Sequence, residues 1–355
     1  MITTKTQTLT TDSLSLDYLL PSTKDVLLTL ANSNFNWLND FVLGGASALA
    51  MRIGHRLGDD LEFFTYYDMF HKHDKKILRI TKSFNDFKII EVNQTSAEFK
   101  CNGVKVSFIS KHEDLNNDYL MISRDDLDKI GAIKVLPLKE TARTIAYDNL
   151  FLSKDIASYY DIYTLVKYYL ELSEVYENGL KIIAHVDWRT FIYHLIYYKE
   201  VKSDLDISHL KPKYETDLLK IRKFLSKEID KYIKERQIAL ASATPRKETV
   251  FNICKEKHLF WSYRKDVTVD EMPDDIIIEQ LLIYGDIDDL ILLFKVYPYK
   301  QIYDVWLLHI LSNKEWYKSI NNFLADYFFK VDISKIKVET RLERMMRERG
   351  MENND

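Results

Sequence analysis

Two acidic side chains separated by one residue lie in the first quarter of this 355-residue chain, and together they could bind divalent metal ions. Asp60 and Glu62 alternate with the apolar Leu61 and Phe63. In a β-strand, side chains at positions i and i+2 face the same side, so the carboxylates would stand together while the apolar groups face the core. Magnesium or manganese at such a pair neutralises a nucleoside triphosphate and assists transfer of its nucleotide to a hydroxyl, with pyrophosphate as the leaving group. A solvated strand edge is the simpler explanation for an isolated Asp-x-Glu triplet.

A pair of glycines precedes these carboxylates. Glycine is scarce in the chain, with 9 residues, and Gly44 and Gly45 are adjacent. They follow a short apolar run at residues 41–43, which is typical of a buried strand, and precede a helical pattern over residues 46–53. A strand that ends in glycines at the start of a helix lets phosphate oxygens approach backbone N–H groups.

Three segments in order make the pattern more specific: Phe41-Val42-Leu43-Gly44-Gly45, Gly54-His55-Arg56 and Asp60-Leu61-Glu62-Phe63-Phe64. Together they resemble the catalytic signature of the AbiEii family of nucleotidyltransferases, the toxins of an abortive-infection type of toxin–antitoxin system. The resemblance covers about residues 25–235 and is strongest over residues 41–65. It implies a fold of the DNA-polymerase-β type, which is a small mixed sheet followed by a helical part.

The resemblance also implies roles for individual residues. Asp60 and Glu62 would bind the metal ions, and Gly44 and Gly45 would bind the nucleotide phosphates. Nearby residues would support nucleotide binding, namely Ser47, His55 and Arg56.

A second likeness lies further along the chain. Asp155 and Asp161, the latter in Asp161-Ile162-Tyr163-Thr164-Leu165, are similar to the family's aspartates on a helix ahead of a D-x-x-x-L pattern. A catalytic contribution from both acids is implied. Exposed acids on a helix surface are the alternative interpretation.

Several positions depart from the family pattern. Gly58 stands where a serine is common, and Glu62 stands where an aspartate is usual. Ser107 occupies the strand position at which many nucleotidyltransferases of this fold have a third carboxylate. Tyr169 replaces an expected lysine, with Lys167 close to it. These departures affect the expected activity more than the expected fold.

The order of the elements predicts an α+β protein. Strand patterns at residues 61–65, 87–92, 97–101 and 104–110 alternate with helices predicted at residues 23–37 and 67–82, and Asn102-Gly103 predicts a hairpin turn. We expect a nucleotidyltransferase-like domain over residues 1–135 and a helical second half over 136–240. A linker closed by Pro245 then precedes a small helical domain over 246–332 and a charged tail over 333–355.

The C-terminal helical domain resembles one often encoded beside such toxins. Its aromatic runs, as at Leu259-Phe260-Trp261-Ser262-Tyr263, favour packing over catalysis. Two interpretations stay open: the segment extends the core, or it covers the active site in cis like an antitoxin. A separate cognate antitoxin is the other expected protein partner.

The composition bears on the cellular location of the protein and on the molecules that it could bind. The net charge is −4, so the overall field does not attract nucleic acid, although the basic spacing of Lys75, Lys76, Arg79 and Lys82 could contact RNA or form a solvated face. Two distant cysteines and the absence of an apolar leader or a membrane-length apolar run favour a cytoplasmic protein with no membrane partner.

The sequence therefore predicts an enzyme. It would move a nucleotide from a nucleoside triphosphate, with Mg²⁺ or Mn²⁺, to a hydroxyl of RNA, such as the 3′ end of a tRNA, or of a protein, and would act as a toxin in a toxin–antitoxin or phage-defence system. The alternative is an inactive nucleotide-binding or regulatory interaction protein of the same fold.

Overall fold

A computed structural model describes residues 14–111, 125, 127–151, 156–180, 191–192, 195–196, 207–313 and 316–337. The described residues fall into two compact units, one within 1–186 and 198–225 and the other within 187–197 and 226–355. The first unit combines a sheet with helices, and the second is helical. This architecture confirms the predicted α+β class.

The sheet of the first unit has seven strands among the described residues. In chain order they are β1 (Val42–Gly44), β2 (Asp60–Tyr66), β3 (Phe87–Val92), β4 (Ser96–Cys101), β5 (Val104–Lys111), β6 (Lys129–Ile130) and β7 (Ile133–Val135). Across the sheet the order is β3-β4-β5-β2-β1-β7-β6. The β2–β5 and β1–β7 pairs are parallel, and the other neighbours are antiparallel. Strand β2 is therefore central, with a neighbour on each side.

Helices accompany the sheet in the first unit. They are α1 (Pro21–Ala31), α2 (Gly45–Ile53), α3 (Tyr67–Ile77), α4 (Leu138–Phe151), α5 (Ile156–Tyr168) and α6 (Leu172–Leu180). A further helix, α7 (Leu218–Ala239), begins in the first unit and belongs to the second unit from residue 226 onward. Two predicted helices were too long. Helix α1 ends at Ala31 because the polar Asn32-Ser33-Asn34 run turns the chain, with Asn32 at φ −92° and ψ 0°. Helix α3 ends at Ile77 and continues as a 3₁₀ turn over Leu78–Ser83.

One face of the central strands carries the aromatic core. On this face Phe63 stacks on Phe108 with ring centroids 5.0 Å apart, and Trp37 and Phe41 pack against Phe108 at 5.6 and 5.3 Å. Leu61 is buried on the same face, whereas the acidic residues that alternate with it are only partly buried. The alternation predicted for β2 is confirmed.

The hairpin between β4 and β5 is also as predicted. Asn102 and Gly103 have φ angles of 47° and 84°, which match the type I′ turn that an Asn-Gly pair favours. The turn sets Cys101 opposite Val104 and fixes the register of both strands.

The second unit packs short helices around a buried tryptophan. Its helices are α8 (Lys247–Glu256), α9 (Asp274–Tyr284), α10 (Ile287–Val296), α11 (Tyr299–Val305) and α12 (Lys318–Phe323). Trp306 stacks on Phe329 at 4.5 Å and donates from Nε1 to Asn321 Oδ1 at 2.9 Å. The helical pattern predicted beyond residue 250 is thus confirmed. Among the residues described here, no helix has the length and apolar character that crossing a membrane would require.

Candidate active site

Strand β2 places Asp60 and Glu62 on the face of the sheet opposite the aromatic core. Register brings specific neighbours to each of them: Gly44 on β1 lies opposite Glu62, and on β5 Lys105 lies beside Asp60 and Ser107 beside Glu62. The glycine pair and the carboxylate pair, which sequence reasoning assigned to one site, are therefore adjacent across two strands.

The backbone approaches Glu62 closely at Gly45. This residue has a φ of +66°, and a Cβ atom there would lie 1.7 Å from Glu62 Oε2. No L-residue with a side chain fits this position, because the backbone is left-handed and the space is already filled. Gly45 also begins helix α2, and its N–H donates to Thr144 Oγ1 at 3.0 Å. The start of α2, α4 and the carboxylate of Glu62 thus meet at one point.

Ser47 links helix α2 to the start of β2. It is buried, and its hydroxyl donates to the backbone carbonyl of Asp60, with Asp60 Oδ1 also within 3.4 Å. Gly58 packs directly on this serine, since a Cβ at position 58 would lie 2.4 Å from Ser47 Oγ. The side chain of Ser47 therefore positions Asp60.

The carboxyl group of Asp60 has a raised pKa. Burial, followed by the negative charge of Asp59, raises the pKa of Asp60 from 3.8 to about 6, against the opposing charges of Arg56 and Lys105. Placing a negative charge at this position costs free energy in the protein alone. A bound cation would remove that cost, because it favours the ionised form.

His55 and Arg56 make a buried cluster with Asp161 of helix α5. His55 Nε2 lies 2.7 Å from Asp161 Oδ1. Arg56 donates from Nε to Oδ1 at 2.7 Å and from Nη2 to Oδ2 at 2.9 Å. The three residues are 0%, 3% and 1% exposed, respectively. We refer to them as the buried triad.

Electrostatics within the buried triad are set by the arginine. Burial lowers the pKa of His55, and the hydrogen bond to Asp161 only partly opposes that shift. Burial alone would favour the neutral acid at Asp161. The Arg56 charge and the two hydrogen bonds outweigh it and hold the pKa of Asp161 below its usual range. The triad is thus a neutral histidine beside an arginine–carboxylate ion pair, and its fork-shaped contact fixes the loop ahead of β2.

The sequence-predicted site residues therefore separate into two groups. Asp60, Glu62 and the glycines line one face of the sheet, whereas Asp161 binds the side chains of His55 and Arg56 rather than joining the carboxylate pair. Asp155 lies outside the described residues.

Sequence reasoning missed three residues near the carboxylates. Glu98 on β4 lies opposite Ser107, and its Oε1 binds Lys105 Nζ at 3.2 Å, while Thr144 binds Gly45. Alternation along β4 and β5 would have placed Glu98, Lys105 and Ser107 on the polar face. Only the order of the strands in the sheet shows that these three side chains lie on the same face of the sheet as Glu62.

One polar atom on this face has no hydrogen-bond partner among the described residues. Ser107 is buried, and its Oγ makes no hydrogen bond within the described part of the chain. A buried hydroxyl without a partner is unfavourable by about 1–3 kcal/mol, so this atom is a candidate contact for a bound group.

A metal ion would find two carboxylates here. In the part of the chain that the structure describes, no three His, Cys, Asp or Glu side chains are grouped to hold a metal ion. Magnesium is commonly bound through one or two carboxylates together with substrate phosphates, and Asp60 and Glu62 meet that requirement.

Comparison with known proteins adds one relative. No protein-family model matches the chain, and no solved structure matches it. An uncharacterised protein of Aquifex aeolicus is 23% identical over 206 residues, which cover 55% of this chain and 89% of that protein.

The ion pair of the buried triad should dominate local stability. Replacing Asp161 by Asn should lower the free energy of unfolding by about 3–5 kcal/mol, because Arg56 would stay buried without its anion. Asp59→Asn is the matched control. Its carboxylate lies 3.4 Å from Arg56 but is 41% exposed, so its loss should cost less than about 1 kcal/mol in urea unfolding. Equal costs for the two variants would contradict this assignment.

Neutralising Asp60 should stabilise the protein in a pH-dependent way. Above pH 6 the folded state must hold an ionised Asp60 whose pKa is raised to about 6, whereas the unfolded group ionises near 3.8. Asp60→Asn should raise the unfolding free energy by about 1–3 kcal/mol at pH 8, about half of that at pH 5, and almost nothing near pH 4. The exposed Asp68→Asn should show no such trend in urea unfolding across this range. An increase in the unfolding free energy of Asp60→Asn that becomes larger as the pH falls would contradict the raised pKa of Asp60.

Glycine 45 should be intolerant of a side chain. Gly45→Ala and Gly103→Ala both place alanine at positive φ, which costs about 1–2 kcal/mol at either position. Only Gly45→Ala also drives a methyl group into Glu62, since nothing lies within 4 Å of the Cβ position at Gly103. We expect Gly45→Ala to cost at least about 2 kcal/mol more than Gly103→Ala in urea unfolding. Similar losses would show that the contact with Glu62 relaxes easily.

Proposed function

We propose that the first unit is a metal-dependent nucleotidyltransferase of the DNA-polymerase-β-type fold, similar to the AbiEii toxins. One observation carries the proposal: the glycine turn that begins α2 touches Glu62 of the carboxylate pair, since a Cβ at Gly45 would lie 1.7 Å from Glu62 Oε2. A phosphate-binding turn and a metal-binding pair must be this close if one triphosphate contacts both.

The residues fit a hard divalent cation. Asp60 and Glu62 would hold Mg²⁺ or Mn²⁺ through carboxylate oxygens, which such ions prefer. The ion would neutralise the triphosphate and stabilise the leaving pyrophosphate. The raised pKa of Asp60 supports this role, because a cation would shift that carboxyl toward its ionised form.

The reaction that follows is a substitution at phosphorus. The oxygen of an acceptor hydroxyl bonds to the α-phosphorus of a nucleoside triphosphate, the bond to the pyrophosphate oxygen breaks, and the hydroxyl proton passes to solvent. Gly44 and Gly45 allow the phosphates to reach the backbone, and Lys105 adds positive charge next to Asp60. The acceptor is a hydroxyl of RNA or of protein, and the biological role is that of a toxin restrained by an antitoxin or by its own C-terminal unit.

We assign the buried triad to positioning rather than to phosphate binding. The side chains of His55 and Arg56 are buried and bind Asp161, and the loop that carries them leads into β2. The likeness to the family at positions 55 and 56 is then explained by the requirement to hold β2, which carries Asp60 and Glu62, in place.

One departure from the family pattern has a structural reason. The Ser47 hydroxyl occupies the space into which a side chain at position 58 would extend, at 2.4 Å from a Cβ there. The family's usual serine would therefore not fit at Gly58 beside Ser47, and the glycine at this position is compatible with an intact site.

A second candidate function is nucleotide binding without turnover. Ser107 stands where a third carboxylate is common, and the nearest acid in that row, Glu98, is paired with Lys105. Such a protein would bind a triphosphate with magnesium but release no pyrophosphate.

Transfer can be tested directly with labelled substrate. Purified protein is incubated with each nucleoside triphosphate labelled on its α-phosphate, Mg²⁺ and total RNA, and the products are separated by gel electrophoresis. Label should appear on RNA or on protein, and Asp60→Asn and Glu62→Gln should each reduce it by about 100-fold or more. The control Asp68→Asn, an exposed acid at the start of α3, should label like the unchanged protein.

The outcomes separate the two candidates. Label that persists in Asp60→Asn would remove the carboxylate pair from the mechanism. Calorimetric binding of a triphosphate without any label or pyrophosphate would favour the binding function instead.

A further inference from the structure

A cavity in the second unit combines aromatic and basic side chains. It follows helix α8 and has a volume of about 540 Å³, within the range of small-ligand sites. The side chains that line it include Lys255, Trp261, Tyr263, Arg264 and Lys265, and none of the described residues in its lining is acidic.

Trp261 is the most unusual of these residues. Its side chain is 83% exposed, although tryptophan is among the side chains that gain most from burial. Tyr263 beside it is also exposed. Two flat rings at the edge of one cavity are available for stacking against a planar group.

The ring cluster beneath them is ordered. Phe260 stacks on Phe251 of α8 with centroids 5.3 Å apart, and Tyr263 meets Phe260 edge to face at 6.2 Å. Tyr263 therefore stands on a packed support, which lowers the entropy that a ligand must overcome to order this ring.

Charge at the cavity is positive. Arg264 is paired with Glu271 at 3.2 Å and with Asp266 at 3.8 Å. Lys255 and Lys265 make no ion pair within the described ranges, and Lys255 lies over the Phe251 ring at 5.8 Å. Two lysines without an acidic partner favour an anionic ligand.

We propose that this cavity binds a single-stranded segment of nucleic acid, with a base stacked on Trp261 and the adjoining phosphates near Lys255 and Lys265. Exposed aromatic rings with interleaved cations are the combination that single strands require, since every base has a face to stack and every linkage carries a charge. An acidic peptide would use the lysines but not the exposed indole. The site belongs to the second unit and is independent of the transferase proposal.

Fluorescence anisotropy tests the proposal with defined probes. A fluorescein-labelled oligo(U) RNA and an oligo(dT) DNA, each about ten nucleotides long, are titrated with the full chain. At least one of them should bind, and Trp261→Ala should weaken that binding by about tenfold or more. Trp316→Ala is the matched control, because Trp316 is also in the second unit and 89% exposed but is not among the residues that line the cavity; oligonucleotide binding by this variant should be unchanged.

A second pair of variants tests how much the lysine charges contribute to oligonucleotide binding. Lys265→Gln should weaken binding and reduce its salt dependence, because each phosphate contact contributes about 0.7 to the logarithmic salt slope for single strands. Lys300→Gln, a lysine of the same unit that is paired with Asp304, should change neither quantity. Both pairs of variants alter exposed positions, and circular dichroism verifies that they are folded.

Several results would overturn the proposal. These are equal binding by the Trp261→Ala and unchanged proteins, equally tight binding of a duplex of the same length, and equal affinity for a free mononucleotide. Asp60→Asn separates this proposal from the transferase proposal, because it should reduce transfer about 100-fold or more while leaving oligonucleotide binding intact.

Discussion

The buried ion pair between Arg56 and Asp161 is the interaction on which the rest of the site depends. Charges removed from water are unfavourable unless a partner of opposite sign satisfies them, so this pair can separate only at a large cost in free energy. It attaches the loop at residues 54–59 to helix α5, and that loop continues directly into β2. Backbone bonds strengthen the attachment, as Lys213 N–H donates to the His55 carbonyl at 2.7 Å. The positions of Asp60 and Glu62 follow from this anchoring.

A second constraint acts on the other side of the carboxylates. Gly45 lets the start of α2 touch Glu62, and Ser47 binds the backbone of Asp60 from the same helix. Burial, followed by the negative charge of Asp59, raises the pKa of Asp60. The protein therefore holds Asp60 in a state that a cation would relieve. Such stored cost is common at functional sites and uncommon elsewhere.

The polar face of the sheet balances charge over three strands. Lys105 on β5 lies between Asp60 on β2 and Glu98 on β4, and it binds Glu98 directly. Burial lowers the pKa of a lysine, but the surrounding carboxylates outweigh this effect and raise the pKa of Lys105. Glu98 is thereby engaged, and the hydroxyl of Ser107 beside it is the polar atom left for a bound group.

Features that depend on neighbours along the chain could be predicted from the order of the amino acids alone. Alternation put Asp60 and Glu62 on one face of a strand, and the Asn102-Gly103 pair specified its hairpin, because both follow from local backbone geometry. The neighbours of β2, and the contact of His55 and Arg56 with Asp161 about 105 residues away, became apparent only in the folded protein. The same holds for β7 beside β1 and β6 beside β7. Spacing along the chain carries no information on such pairings, since they form only when distant segments bury their apolar faces together.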